Sequence, residues 1–124
     1  MKFRDRIKSF GFAMKGIVTL MQTQHNAQIH LFAVILVSLL SYLLKISTTE
    51  WCFVIFAFVM VLAAEAFNTA IEFVVDLVSP DYHPLAGKAK DVAAAAVLIT
   101  ATGAASVGMI IFIPKIWVFI HEVR

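Results

Sequence analysis

The stretch WCFVIFAFVMVLAAEAFNTAIEFVVDLV, residues 51–78, is apolar enough to cross a membrane, yet it carries four regularly spaced polar residues. At 100° per residue, the four fall within about 80° of one helix face. They are Glu65, Asn68, Glu72 and Asp76. A carboxylate at membrane depth costs several kcal/mol unless it faces protein, water or an ion. The stripe is therefore interpreted as a functional site rather than as solvated surface.

The composition of the whole chain supports a membrane location. Its 124 residues are 61% hydrophobic and 15% charged, and the mean hydropathy is +0.91. A soluble domain of this length could not bury so much apolar surface, so a single integral membrane domain over residues 1–124 is predicted. The net charge of +2 gives no reason to expect a nucleic acid partner. Cys52 is the only cysteine, which excludes an intrachain disulfide.

Three apolar segments each reach the roughly 20 residues that a membrane helix requires. These predicted spans are residues 29–46, 51–78 and 92–113. Pro114 is expected to break the third span or mark its end. Residues 1–28 show no cleavable signal peptide, and their apolar residues recur at helical spacing with basic residues on another face. We predict an all-α membrane protein with an N-terminal amphipathic interfacial helix and three transmembrane helices.

The distribution of basic residues predicts the orientation. Three spans place the N-terminal helix and the 79–91 segment on one side, which then carries Lys2, Arg4, Arg6, Lys8, Lys15, Lys88 and Lys90. The opposite side carries Lys45, Lys115 and Arg124. The N-terminus is therefore expected in the cytoplasm of a multi-pass protein of the inner (cytoplasmic) membrane. In this orientation Glu65 lies about 21 Å below the outer interface, so the stripe leads from the inner leaflet to cytoplasmic water.

The segment SPDYHPLAGKAKD, residues 79–91, follows the stripe and is predicted to be a loop broken by Pro80 and Pro84. Its acids and lysines are the groups that hold Mg²⁺ and phosphates. Other interpretations stay open: Lys88 and Lys90 as positive-inside anchors, His83 as a turn residue, Asn68 as a contact between helices, and Asp76 as a solvated helix-end acid. Soluble-kinase motifs are absent, since Gly87-Lys88 is followed by Ala89 and lacks the earlier glycine of a P-loop.

Residues 64–99, AEAFNTAIEFVVDLVSPDYHPLAGKAKDVAAAAVLI, closely resemble the signature of the small prokaryotic diacylglycerol kinase family. The shared pattern is E-x-x-N-[ST]-A-[IV]-E-x-x-V-D, then a Y/F-H loop and a K-A-K-D run. The likeness extends to nearly the whole chain, including Lys15-Gly16 and the three-span layout. ISTTEW at 46–51 and HPLAGKAKD at 83–91 resemble the undecaprenol kinases of this family more than its enteric diacylglycerol kinases.

The resemblance implies a homotrimer with active sites formed between subunits, and phosphorylation of a membrane lipid alcohol by ATP and Mg²⁺. It implies that Glu65 is the general base, with Asn68 supporting it, and that Glu72 binds the metal. The nucleotide contacts that it implies are Arg6, Asp76, Asp81, Tyr82, His83, Lys90 and Asp91. The lipid would be undecaprenol or diacylglycerol, with undecaprenol slightly favoured by the resemblance.

Three positions depart from the family pattern. Gln24 stands where the family commonly has a second metal-binding glutamate, and an amide oxygen is a weaker Mg²⁺ ligand than a carboxylate. The N-terminal arginine is one position out of register, so Arg6 or Arg4 would fill its role, and Phe12 replaces a tyrosine of some members.

A rival interpretation is a small oligomeric proton- or cation-coupled transporter. Transporters place their acids near the midplane, whereas the polar residues here cluster in the inner half, which favours the kinase.

Overall fold

The computed structural model describes residues 3–122, and within that range its regular secondary structure consists of four α-helices joined by short connections. The four helices are α1 (Phe3–Thr23), α2 (His25–Leu43), α3 (Thr48–Val78) and α4 (Pro84–Glu122). The prediction of an all-α protein is confirmed. Lys2 and Arg124, which enter the count of basic residues, lie outside the described part of the chain.

The last three helices, α2, α3 and α4, are each long and apolar enough to cross a membrane. Large apolar side chains cover the outside of these helices and remain exposed in the single chain, as expected of surfaces that face lipid or another subunit. The protein is therefore a multi-pass membrane protein, and the predicted number of spans is confirmed.

The first helix ends earlier, and the second begins earlier, than predicted. Gln24 adopts an extended backbone, with φ −113° and ψ 108°, and separates α1 from α2. The interfacial helix, predicted over residues 1–28, thus ends at Thr23, and the first span begins at His25 instead of residue 29. Hydropathy marks where a run of apolar residues begins, whereas a helix begins where the backbone turns. Residues 25–28, three of which are polar, therefore form the first turn of α2.

The junction between α2 and α3 is fixed by local chemistry. Lys45 adopts a left-handed conformation with φ 50° and ends α2. Ser47 and Glu50 then form a capping box, in which the Ser47 hydroxyl accepts from the Glu50 amide at 3.2 Å and the Glu50 carboxylate accepts from the Ser47 amide at 2.7 Å. The turn between the two spans is therefore shorter than the predicted 45–50 segment.

Helix α4 differs from its prediction at both prolines. Pro84 occupies the first helical position, where its missing N–H is not needed, so it begins α4 instead of breaking a helix. The loop is thus shorter than residues 79–91, and the lysines at 88 and 90 lie on the first turns of α4. Pro114 neither breaks α4 nor marks its end, because the helix continues to Glu122. Membrane helices tolerate an internal proline where neighbouring groups satisfy the freed backbone.

The two longest helices, α3 and α4, pack antiparallel and make most of the contacts between elements. Two ion pairs join them, one near each end: Lys115 Nζ lies 3.1 Å from Glu50 Oε2, and Lys90 pairs with Asp76. A small apolar core forms at the Glu50 end from Ile46, Val54, Ile111 and Phe112. The other end is left for polar side chains, and the candidate site lies there.

Candidate functional site

The polar stripe of α3 shows a gradient of burial along the helix. Glu65 is 1% exposed and Asn68 is also buried, whereas Glu72 is half-buried and Asp76 is exposed. Successive members lie roughly one helical turn apart, and the four span about 16 Å along the helix axis. The stripe therefore leads from the interior of the protein to its surface.

Glu65 faces His30 of the neighbouring helix α2. The Nε2 atom of His30 lies 3.2 Å from Glu65 Oε1, which is within ion-pair range. The contact does not have the angle of a hydrogen bond, and Oε1 is buried without a hydrogen-bond partner among the described residues. A buried carboxylate is costly unless it is paired or hydrogen-bonded, so Glu65 is a candidate functional group.

Asn68 connects the buried part of the stripe to the half-buried part. Its amide nitrogen donates to Glu72 Oε1 at 3.1 Å, as expected for residues four apart on one helix. Its Oδ1 atom is buried and has no hydrogen-bond partner in the part of the chain that the structure describes. The oxygen atoms of these two residues can therefore accept a further donor or ligate a cation.

A polar cavity of about 280 Å³ contains the buried end of the stripe. Its polar lining comes from α2 and α3, and α4 contributes an apolar wall. The polar lining residues are Asn26, His30, Glu65 and Asn68. The spacing of four residues places Asn26 and His30 on one face of α2, which explains why they reach the cavity together.

A second cavity of about 200 Å³, the turn cavity, lies where the chain passes from α3 to α4. It gathers most of the residues that the resemblance assigns to the nucleotide. These are Asp76, Asp81, Tyr82, His83 and Lys90. The fold brings them together because α3 ends at Val78 and α4 begins at Pro84, so only five residues separate the two helices.

Local hydrogen bonds shape this turn. The Ser79 hydroxyl donates to the Asp81 carbonyl at 3.0 Å, and the Leu85 amide donates to His83 Nδ1 at 3.2 Å. His83 thus satisfies one of the free N–H groups at the beginning of α4, as the turn-residue interpretation expects. Asp76 and Lys90 form an ion pair across the cavity, so each has a partner from the facing helix.

Four predicted site residues line neither cavity: Arg6, Gln24, Glu72 and Asp91. Glu72 is half-buried on α3, where it accepts the hydrogen bond from Asn68. Arg6 is exposed on α1, and Asp91 is exposed one position beyond Lys90. Gln24 forms the break between α1 and α2, and no hydrogen bond joins its side chain to Glu72 among residues 3–122. Each of these roles stays a prediction.

An apolar cavity of about 260 Å³ adjoins the polar one between the three long apolar helices. Valines, alanines and phenylalanines of α2, α3 and α4 line it. His30 and Ala101 are the two residues that border both cavities, and His30 carries the polar group of the pair. The acidic site and the apolar space therefore meet at His30 and Ala101.

Sequence reasoning missed His30 and Asn26. The first lies at the beginning of an apolar segment, and a lone histidine there gives no spacing signal of its own. A signal was nonetheless present, because Asn26 and His30 are four residues apart in the first turns of an otherwise apolar helix. Treating residue 29 as the start of the span separated the two and hid their common face.

The residues present fit a hard divalent cation. Mg²⁺ is usually held by one or two carboxylates together with phosphate oxygens and water. The Glu72 carboxylate and the unpartnered Oδ1 of Asn68 are oxygen donors of this kind, adjacent on α3. No group of three or more acidic, histidine or cysteine ligands converges among the described residues, so the remaining ligands would come from outside this set.

Comparison with known proteins identifies close relatives. Residues 11–112 match the family described as prokaryotic diacylglycerol kinase. The chain is 38% identical over 109 residues to undecaprenol kinase of Bacillus subtilis, which covers 88% of this chain and 89% of the relative. It is likewise 38% identical over 109 residues to a diacylglycerol kinase of Synechocystis sp., covering 87% of this chain and 62% of the relative. Diacylglycerol kinase of Escherichia coli is 33% identical over 97 residues, covering 78% of this chain and 80% of the relative.

Proposed function

Because this chain belongs to the prokaryotic diacylglycerol kinase family and is a lipid kinase, we propose that it transfers the γ-phosphoryl group of MgATP to the hydroxyl of a membrane lipid alcohol at the cytoplasmic face. The observation that carries this proposal is the continuous polar stripe from buried Glu65 to the turn cavity. The stripe joins a site at membrane depth to one at the surface, as a reaction between a lipid and a soluble nucleotide requires. The matched family and the relatives named above are kinases, so the transporter alternative gains no support.

Glu65 is assigned the role of general base. As the lipid oxygen bonds to the γ-phosphorus, its O–H bond breaks and the proton passes to the Glu65 carboxylate. The bond between the γ-phosphorus and the bridging oxygen of ATP breaks, and ADP leaves with that electron pair. Asn68 supports the site through its hydrogen bond to Glu72, which holds both side chains in place.

The turn cavity is assigned to the nucleotide. Lys90, at the beginning of α4, lines this cavity together with Asp76, Asp81 and His83. Asp91, the next residue along α4, is the further nucleotide contact that the resemblance assigns. In the ion pair with Asp76, Lys90 is held at the cavity, and its ammonium group can neutralise phosphate charge. Arg6 of α1 is the further cation that the resemblance assigns to the nucleotide.

Glu72 and Asn68 would hold the magnesium ion, with Gln24 as the third candidate ligand. When bound, the ion supplies positive charge that screens the phosphate oxygens and orients them. The protein's own contribution is the pair of adjacent oxygen donors, one half-buried and one buried, at the middle of the stripe.

The choice of lipid substrate rests on sequence similarity to a relative named for its substrate. We place undecaprenol ahead of diacylglycerol, because the undecaprenol kinase of Bacillus subtilis aligns over most of both chains. The purified protein in mixed micelles should phosphorylate a polyprenyl alcohol faster than diacylglycerol, and only with MgATP present. Phosphorylated lipid and ADP are measured together, with lipid-free micelles as the control. Failure to phosphorylate any member of an alcohol panel would overturn the proposed function.

Membrane orientation follows from the same reasoning. The proposed cytoplasmic N-terminus places α1, the turn cavity and the basic residues at 88 and 90 on the side where ATP is present. The excess of lysine and arginine on that side supports this orientation.

We further propose that the protein is a homotrimer whose sites combine parts of different subunits. The single chain leaves large apolar faces exposed and the polar cavity open at its edge, which supports assembly. Mixing two inactive variants, Glu65→Gln and Lys90→Ala, should restore part of the activity after subunit exchange. The expected recovery reflects sites that receive an intact part from each variant. If the mixture stays inactive although exchange is verified by a tagged subunit, each site is built within one chain.

A further inference from the structure

One oxygen of the buried Glu65 carboxylate lacks a hydrogen-bond donor from the described part of the chain. Its side chain is 2% exposed, and Oε1 has no hydrogen-bond partner among residues 3–122. An ionised carboxylate without a partner is strongly disfavoured in an apolar environment. A general base in this position therefore needs a nearby group that stabilises its charge and fixes its direction.

Two donors on α2, Asn26 and His30, share the polar cavity with Glu65, and His30 is the one that contacts the Glu65 carboxylate. The α4 side of the polar cavity is apolar, formed by Ala94, Val97, Leu98 and Ala101. On α3, the amide nitrogen of Asn68 is already engaged with Glu72. On α2, the Nε2 atom of His30 lies 3.2 Å from Glu65 Oε1, so a small rotation of the imidazole completes a hydrogen bond.

The position of His30 also gives the contact a direction. Its side chain is 26% exposed, against 2% for Glu65, and it borders both the polar and the apolar cavity. The imidazole thus lies against one carboxylate oxygen from the side of the apolar cavity. A hydrogen bond from Nε2 to Oε1 would restrict rotation of the carboxylate and give its second oxygen a defined orientation.

We infer that His30 is a positioning residue of the phosphoryl transfer, which donates its Nε2–H to Glu65 Oε1 and aims the carboxylate at the lipid hydroxyl. The neutral imidazole donates from one nitrogen only, so the tautomer with hydrogen on Nε2 is required. This inference rests on the proposed function in that Glu65 is taken as the group that accepts the hydroxyl proton. His30 itself need not touch either substrate.

The test compares three substitutions at position 30. His30→Leu removes the donor, and we expect kcat to fall about 10- to 100-fold with KM for lipid and for ATP unchanged, as for partners that orient a reactive group. His30→Gln should restore most of kcat, because the glutamine amide nitrogen reaches the place of the imidazole Nε2. His30→Asn is one methylene shorter and should behave like His30→Leu.

The matched control is His25→Leu, which alters an exposed histidine on the same helix. It should leave kcat unchanged. Elution volume from size-exclusion chromatography shows whether each variant still assembles, and the comparison of the glutamine with the asparagine variant decides the matter if the leucine variant misassembles.

Two outcomes would overturn the inference. One is equal kcat for the leucine, asparagine and glutamine variants, which would show that no donor at the Nε2 position is used. The other is a raised KM at unchanged kcat, which would make His30 a binding residue. Either result leaves the wild-type kinase activity in place, so it is distinguishable from failure of the proposed function.

Discussion

Replacement of Glu65 by glutamine is expected to abolish lipid phosphorylation while the protein still inserts and assembles normally. The substitution preserves the volume of the side chain but removes the proton acceptor, and general-base catalysis contributes about 10²- to 10⁴-fold. A neutral amide is also cheaper to bury than a carboxylate, so the thermal stability should be equal or higher. Phosphorylated lipid per unit time and elution volume are measured on the same preparation.

The control for this experiment is Glu122→Gln, an exposed acid at the opposite end of α4. It loses the same charge far from the polar cavity and should keep the wild-type rate. Near-normal phosphorylation by the Glu65→Gln variant would remove Glu65 from the role of base, whatever its stability.

The second large effect is expected at the metal site. Glu72→Ala removes a charged oxygen ligand and the acceptor of the Asn68 amide, so the Mg²⁺ concentration for half-maximal rate should rise about tenfold or more, or activity should be lost. The rate is measured across a Mg²⁺ titration at saturating ATP and lipid. An unchanged titration midpoint, together with an unchanged maximal rate, would exclude Glu72 as a ligand.

The companion variant Gln24→Glu tests the same site in the opposite direction. If position 24 reaches the metal, a carboxylate in place of the amide should lower the Mg²⁺ concentration needed. Gln24 has an extended backbone between α1 and α2, so the substitution does not alter a residue inside either helix. An unaltered Mg²⁺ dependence would place Gln24 away from the ion.

Helical periodicity was sufficient to predict the arrangement of the polar stripe on α3. The period of 3.6 residues fixes which side chains share a face once a segment is known to be a helix, and the end of the predicted span at Val78 is also the end of α3. Proline was a poorer guide, because its effect depends on whether its missing N–H was needed. At Pro84 it was not needed, and at Pro114 the loss of one bond did not end a long apolar helix.

The contact between Glu65 and His30 could not be predicted from the sequence, because it depends on how two helices pack. The two residues are on different helices, and their proximity depends on how α2 rotates and crosses against α3. Periodicity describes one helix at a time and carries no information about that crossing. The turn cavity was easier to anticipate, because its members are close in sequence and only a short turn separates their helices.

The two ion pairs between α3 and α4 should make the protein sensitive to the thickness of the bilayer. Glu50 and Asp76 are about 26 residues apart on α3, and Lys90 and Lys115 about 25 on α4, so the paired charges are separated by about 39 Å. A hydrocarbon core of about 30 Å leaves both pairs in the headgroup layers, whereas a much thicker bilayer draws charge into hydrocarbon. In such a bilayer the helices tilt or one ion pair opens. Because Asp76 and Lys90 border the turn cavity, membrane thickness then affects the geometry of the site proposed for the nucleotide.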